Sequence, residues 1–160
     1  MSRIPTEQTA VHTRHRAVGY MVAANQIEYS HTIDYGHVVI EPKYFLYSHS
    51  IELALKAYLM VNGHSAEECR FQFSHDLEKA LDCAVTHGLS VSEKNRGIIA
   101  SLSRQHNRPF SFKYFNEAGW SAPSFENISE CCRWLISEIQ GPVFAANRLI
   151  LRDDNLALRC

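Results

Sequence analysis

A chain of 160 residues, 46% hydrophobic and 21% charged, can bury a core of its own and is expected to fold as a single domain, which excludes a disordered class. Its formal net charge of −1 excludes a general electrostatic coat for nucleic acid and leaves room only for a local basic patch. No apolar run is long enough to cross a bilayer, because Glu52 and Lys56 interrupt the best candidate, so a cytoplasmic protein with no membrane partner is expected.

In chain order, residues 1–5 read as loose. From Thr6 to Tyr29 an imperfect apolar stripe of Val11, Ala17, Val18, Met21, Val22 and Ala24 predicts a helix. The stretch His31–Pro42 is mixed, and Val38–Ile40 suggests a short extended segment. Pro42 then suits the first turn of a helix running to about Asn62, with Gly63 as its C′ residue. Within it Ile51, Leu53, Ala54, Leu55, Ala57, Tyr58, Leu59, Met60 and Val61 cover nearly the whole circumference, so this helix belongs in the centre of the fold. His49, Glu52 and Lys56 form its one polar strip, which must face solvent, a cleft or a partner chain.

A helical turn is expected at Ala66–Arg70. Ser74 or His75 then starts another helix, with Asp76 and Glu78 in its first turn, Leu77, Leu81, Ala84 and Val85 on its core face, and Gly88 at its end. Ser90–Glu93 has the form of a capping box ahead of a helix buried through Ile98, Ile99 and Leu102. The segment from His106 to Ser124 breaks the helical pattern. The alternation of Phe110, Phe112 and Tyr114 predicts an extended or hairpin insertion near residues 108–116. Helical periodicity returns from Phe125 through Ile139, Gly141–Pro142 stops or kinks it, and a last short piece precedes a tail at 152–160 expected to be loose. The fold class is therefore all-α, a bundle of about five helices.

The five cysteines, with no CxxC among them, read as reduced thiols acting as small core hydrophobes. His12 and His15 stand at i and i+3, but no carboxylate or cysteine sits at a matching spacing, so no metal centre and no cofactor are expected. There is no Gly-rich phosphate loop, dinucleotide fingerprint or nucleophile elbow, which disfavours classical nucleotide hydrolysis, dinucleotide redox and serine hydrolase chemistry.

Three segments in order, SIELALKAYLMVNG, FSHDLEKALDCAVTHGL and RPFSFKYFNEAGWSAPS, resemble the HEPN domain family. Glu52, Leu53, Leu55, Lys56 and Ala57 match its "ELxLKAxL" helix, His75, Asp76 and Leu77 its "HDL" helix start, and Lys113 and Tyr114 its "RY"-like segment. The resemblance is strongest over residues 44–139. It implies an antiparallel helical bundle, often a homodimer, that acts on or binds RNA or nucleotides. Catalytic members are metal-independent ribonucleases with an Arg-x4–6-His motif, often toxins of toxin–antitoxin or defence systems, and two copies of the motif meet across the dimer. Other members bind nucleotides, partner a nucleotidyltransferase, or have no known activity. Arg70 and His75 satisfy the motif's spacing, although the family's catalytic pair usually lies in the second half of the domain.

Each candidate residue has two readings. Glu52 and Lys56 are either an i,i+4 ion pair or, with His49, a strip meeting a ligand or partner. His75 is either a helix cap or loop tie, or a proton-transfer group with Arg70 on the phosphate. The helix start near His75 could also hold a phosphate beside Lys56 or Arg70 without catalysis. Arg104, Arg108, Lys113 and Tyr114 are either solvated groups on a cover over the core, or an RNA- and phosphate-binding surface with stacking aromatics.

Overall fold

The computed structural model describes residues 6–28, 36–107 and 123–157. These form seven helices: α1 (Thr6–Gln26), α2 (Gly36–Val61), α3 (Ala66–Gln72), α4 (Leu77–Thr86), α5 (Glu93–His106), α6 (Phe125–Glu138) and α7 (Gln140–Ala157). No strand occurs among the described residues, so the all-α expectation holds while the count of five becomes seven. The insertion expected near residues 108–116 lies outside the described residues.

α2 is the axis of the molecule and packs against all six other helices. Ile51, Ala54, Leu55, Ala57 and Leu59 have no solvent exposure at all. The apolar circumference read from the sequence thus has the physical consequence anticipated for it. The boundary differs, however. Val38–Ile40 is helical rather than extended, and Pro42 lies inside α2 instead of opening it. A proline there removes one backbone hydrogen bond, but Ile40 just before it and Tyr44 just after it both pack on the core, and that packing outweighs the lost bond.

Hydrogen bonds give the directions of the helices. Lys43 donates to the Ile27 carbonyl, Tyr47 to Asn25 and Ser50 to the Ala17 carbonyl, each at 2.7 Å. Contacts that advance along α2 retreat along α1, so the two are antiparallel. Similarly, Asp76 and Leu77 meet Ser103 while Asp82 meets Arg96, so α4 and α5 are antiparallel.

The helix ends have local causes. Ser65 and Glu68 form the capping box of α3, which shifts the expected turn into a two-turn helix ending at Gln72. Asp76, not Ser74 or His75, is the N-cap of α4 and accepts from the Lys79 amide. Ser92 alone caps α5, so the box expected at Ser90–Glu93 is not formed. α6 ends at Glu138, before Gly141–Pro142, and Pro142 falls in the first turn of α7. α7 continues to Ala157, past the expected start of the tail. At the α6–α7 junction the buried Arg14 donates to the Ile136 carbonyl at 3.1 Å and to Gln140 at 2.7 Å, placing a cation at the carbonyl end of α6.

Candidate functional site

The polar strip of α2 points at two other elements. Glu52 is only 4% exposed and stands at the centre of a cluster. Its Oε1 accepts from Lys56 Nζ at 2.7 Å. Its Oε2 lies 2.7 Å from His106 Nε2, 3.1 Å from His75 Nδ1 and 3.4 Å from His49 Nδ1. His49 and Lys56 come from α2 itself, one turn either side of Glu52. His75 comes from the α3–α4 connection, and His106 from the end of α5.

The cluster has a definite protonation pattern. Burial pushes the Glu52 carboxyl upward, but the hydrogen bonds from His106 and His49 and the Lys56 ammonium outweigh it and hold the carboxyl well below the usual carboxylate range. Burial pushes His106 down, more than the Glu52 carboxylate raises it. A neutral His106 donates Nε2–H to Glu52 and leaves a lone pair on Nδ1. That Nδ1 is buried and has no hydrogen-bond partner, a state an N–H there would make more costly than a lone pair does. Geometry and desolvation therefore agree on Glu52 as carboxylate and His106 as neutral imidazole.

Lys56 also donates to the Ser74 carbonyl at 2.7 Å. Ser74 has φ 47°, the left-handed region that a residue with a Cβ rarely adopts. The lysine thus ties the buried carboxylate to the strained turn that presents His75. An open cleft of about 330 Å³ lies outside this turn, lined by Glu52, Lys56, Arg70, Phe71, Ser74 and His75. Arg70 is exposed and its guanidinium lies 5.6 Å from the ring of Phe71, which is 70% exposed.

The structure brings Arg70, His75, Glu52 and Lys56 together at one cleft. His49 touches Glu52 but does not line the cleft; Phe45 stacks on it at 5.7 Å and Tyr20 meets it edge-on at 4.5 Å. The strip of α2 is therefore not one exposed surface: Glu52 is core, Lys56 lines the cleft, and His49 packs between aromatic rings. Arg104 is exposed near the end of α5 and does not line the cleft. Arg108, Lys113 and Tyr114 lie outside the described residues. His12 and His15 are both exposed and gain no third ligand among the described residues.

The same geometry bears on two other possibilities. The start of α4 is not a phosphate site, because its first amides are already taken. Ser103 Oγ accepts from the Leu77 and Glu78 amides, at 3.0 and 3.2 Å, and Asp76 accepts from Lys79 at 3.0 Å. His49, Glu52 and His106 lie close enough to hold a metal ion. Yet the 2.7 Å separation of Glu52 Oε2 and His106 Nε2 is a hydrogen bond, shorter than the roughly 3.3 Å between two ligands of a tetrahedral cation. Lys56, at 2.7 Å from the other oxygen, would oppose a divalent charge there. The arrangement suits proton transfer better than metal binding.

His106 is the member of the cluster that sequence reasoning missed. Only its position, four residues after the buried Leu102 on one helix face, could have pointed to it. No family model, no curated protein and no solved structure matches the chain.

Proposed function

We propose that this cleft takes a phosphodiester of RNA, and that the protein is a HEPN-like, metal-independent endoribonuclease of the toxin or defence type. The observation that carries the reading is the Glu52–His75 contact beside Arg70. A carboxylate accepting from Nδ1 fixes the histidine tautomer and orientation, which makes Nε2 the basic nitrogen of the ring. In the proposed step Nε2 removes the proton of a 2′-hydroxyl as its oxygen attacks the adjacent phosphorus. The products are a 2′,3′-cyclic phosphate and a 5′-hydroxyl. Arg70 holds the non-bridging oxygens and balances their charge. In the homodimer that the family resemblance implies, His75 of the partner subunit supplies the proton to the departing 5′-oxygen. Phe71, exposed at the rim, offers a face for an unstacked base.

The test is cleavage of single-stranded RNA by purified protein in EDTA, wild type beside His75→Ala and Arg70→Ala. Cleavage abolished in both variants supports the reading, as does slowed growth on expression of the wild type relieved by His75→Ala. Cleavage by neither wild type nor variants overturns it. A second reading then takes its place: a non-catalytic module that binds a nucleotide, or docks an antitoxin or nucleotidyltransferase-type protein, at the same rim. It is favoured by the burial of Glu52 and the engagement of Lys56 within the fold, which leave Arg70 and Phe71 as the contact groups. It predicts a rise in melting temperature with nucleotide and no RNA cleavage.

A further inference from the structure

At the far end of α4, away from its N-cap, a second group of chemistry-bearing side chains gathers. Cys83 and His87 lie one turn apart, His87 being the C-cap of α4. His64 follows Gly63, which ends α2 with φ 99°, and its amide donates back to the Leu59 carbonyl at 3.1 Å. The three ligand atoms, Cys83 Sγ, His64 Nε2 and His87 Nε2, all lie within 4.8 Å of one another.

The separations are informative. His64 Nε2 and His87 Nε2 are 3.2 Å apart, and Cys83 Sγ is 3.5 Å from His64 Nε2. Ligands around a tetrahedral zinc ion, with Zn–N near 2.05 Å and Zn–S near 2.3 Å, stand about 3.3 Å apart for two nitrogens and about 3.6 Å for nitrogen and sulfur. Both measured edges match. The backbone behind them is fixed independently of any ion. Tyr58 donates to the His87 carbonyl at 3.0 Å, and the edge of the Phe73 ring packs on His64 at 5.7 Å. His64 and Cys83 are half-buried while His87 is exposed, so the group lies where water can reach it.

We propose that His64, Cys83 and His87 bind a zinc ion, with water as the fourth ligand. The thiol of Cys83 gives up its proton as the S–Zn bond forms, and both imidazoles bind through Nε2 and keep their hydrogen on Nδ1. The ion would clip the end of α2 to the end of α4. Two nitrogens and one thiolate in tetrahedral spacing favour Zn²⁺ over the hard cations Mg²⁺ and Ca²⁺. This site is independent of the proposed RNA cleavage, which needs no metal.

The probe is Co²⁺ titrated into tag-free, reduced protein. One equivalent should produce the strong visible bands of tetrahedral Co²⁺ and a thiolate-to-cobalt charge-transfer band, both bleached by one equivalent of Zn²⁺. Cys83→Ser should lose the charge-transfer band, and Cys160→Ser should keep it. His87→Ala, a change at an exposed side chain, should weaken binding by at least about 100-fold, the upper end of what outer-shell changes do. Zn²⁺ should raise the melting temperature of the wild type and not of His87→Ala. A weak octahedral spectrum, a charge-transfer band that survives Cys83→Ser, or equal binding by His87→Ala would each overturn the site. Because the RNA assay runs in EDTA, either proposal can fail while the other stands.

Discussion

Glu52 shows how much chemistry one side chain can gather when it is drawn into a core. A lone buried carboxylate would take up a proton. This one stays ionised because Lys56 pairs it and three imidazoles surround its second oxygen. Removing it leaves Lys56 with only the Ser74 carbonyl and His106 without an acceptor. Glu52→Ala should therefore cost about 3–5 kcal/mol, the range for breaking a buried pair, read as a lower midpoint in urea unfolding. Loss of less than about 1 kcal/mol, the level of an exposed pair, would mean that the cluster is hydrated in solution. Ser74 offers a second test at this scale. Its left-handed backbone tolerates glycine, so Ser74→Gly should change stability by no more than about 1 kcal/mol, whereas a β-branched Ser74→Val should cost about 1–2 kcal/mol or more. Equal effects in thermal melts would show that the turn relaxes. Three of the five members of this cluster can be grouped from the sequence, since His49, Glu52 and Lys56 share a helix face. His75 and His106 are 23 and 54 residues from Glu52, and only tertiary packing brings them in.

Among the elements, α4 depends most on a neighbour. Its N-terminal amides are satisfied by its own Asp76 and by Ser103, a residue of α5 that is 3% exposed. Ser103 also stands 3.4 Å from Asp76 Oδ1, so the two caps form one unit. Ser103→Ala should cost about 1–2 kcal/mol, because it orphans two amides, one of them buried. Combined with Asp76→Ala in a double-mutant cycle, it should show a coupling of at least about 0.5 kcal/mol. Strict additivity would mean that water replaces Ser103. Sequence alone places the start of α4 one or two residues early, at Ser74 or His75, for this same reason. Ser74, His75 and Asp76 can each cap a helix locally, and the choice is made by a serine 27 residues away. A similar cause hides the true start of α2. Propensity around Pro42 argues for a break, and packing against α1 and the core overrules it.

For the whole molecule, the apolar circumference of α2 carried most of the information about fold class, since a helix buried on nearly all sides requires other helices around it. What periodicity could not convey is that this central helix also carries a titrating cluster. The cluster couples global stability to pH. His106 has an ordinary value of 6.5 and a lower one in the fold, so below 6.5 the unfolded chain binds a proton that the native chain refuses. Stability must fall as pH drops through that window. Glu52 acts further down. Its native value lies far below 4.5, so its contribution is fully present above 4.5 and is lost progressively as the pH falls below it. Both groups therefore act in the same direction, in two successive windows. The groups facing His106 are Glu52, at 2.7 Å, His75 at 5.5 Å between rings and His49 at 6.3 Å. His106→Gln separates the two windows. Its amide nitrogen can occupy the place of Nε2 and donate to Glu52, but it never titrates. Urea midpoints followed across pH should show the variant losing less stability than the wild type between 6.5 and 4.5, and a similar amount below 4.5. Parallel curves throughout would mean that His106 is charged in the fold, and would remove the neutral imidazole on which the protonation pattern of the cleft depends.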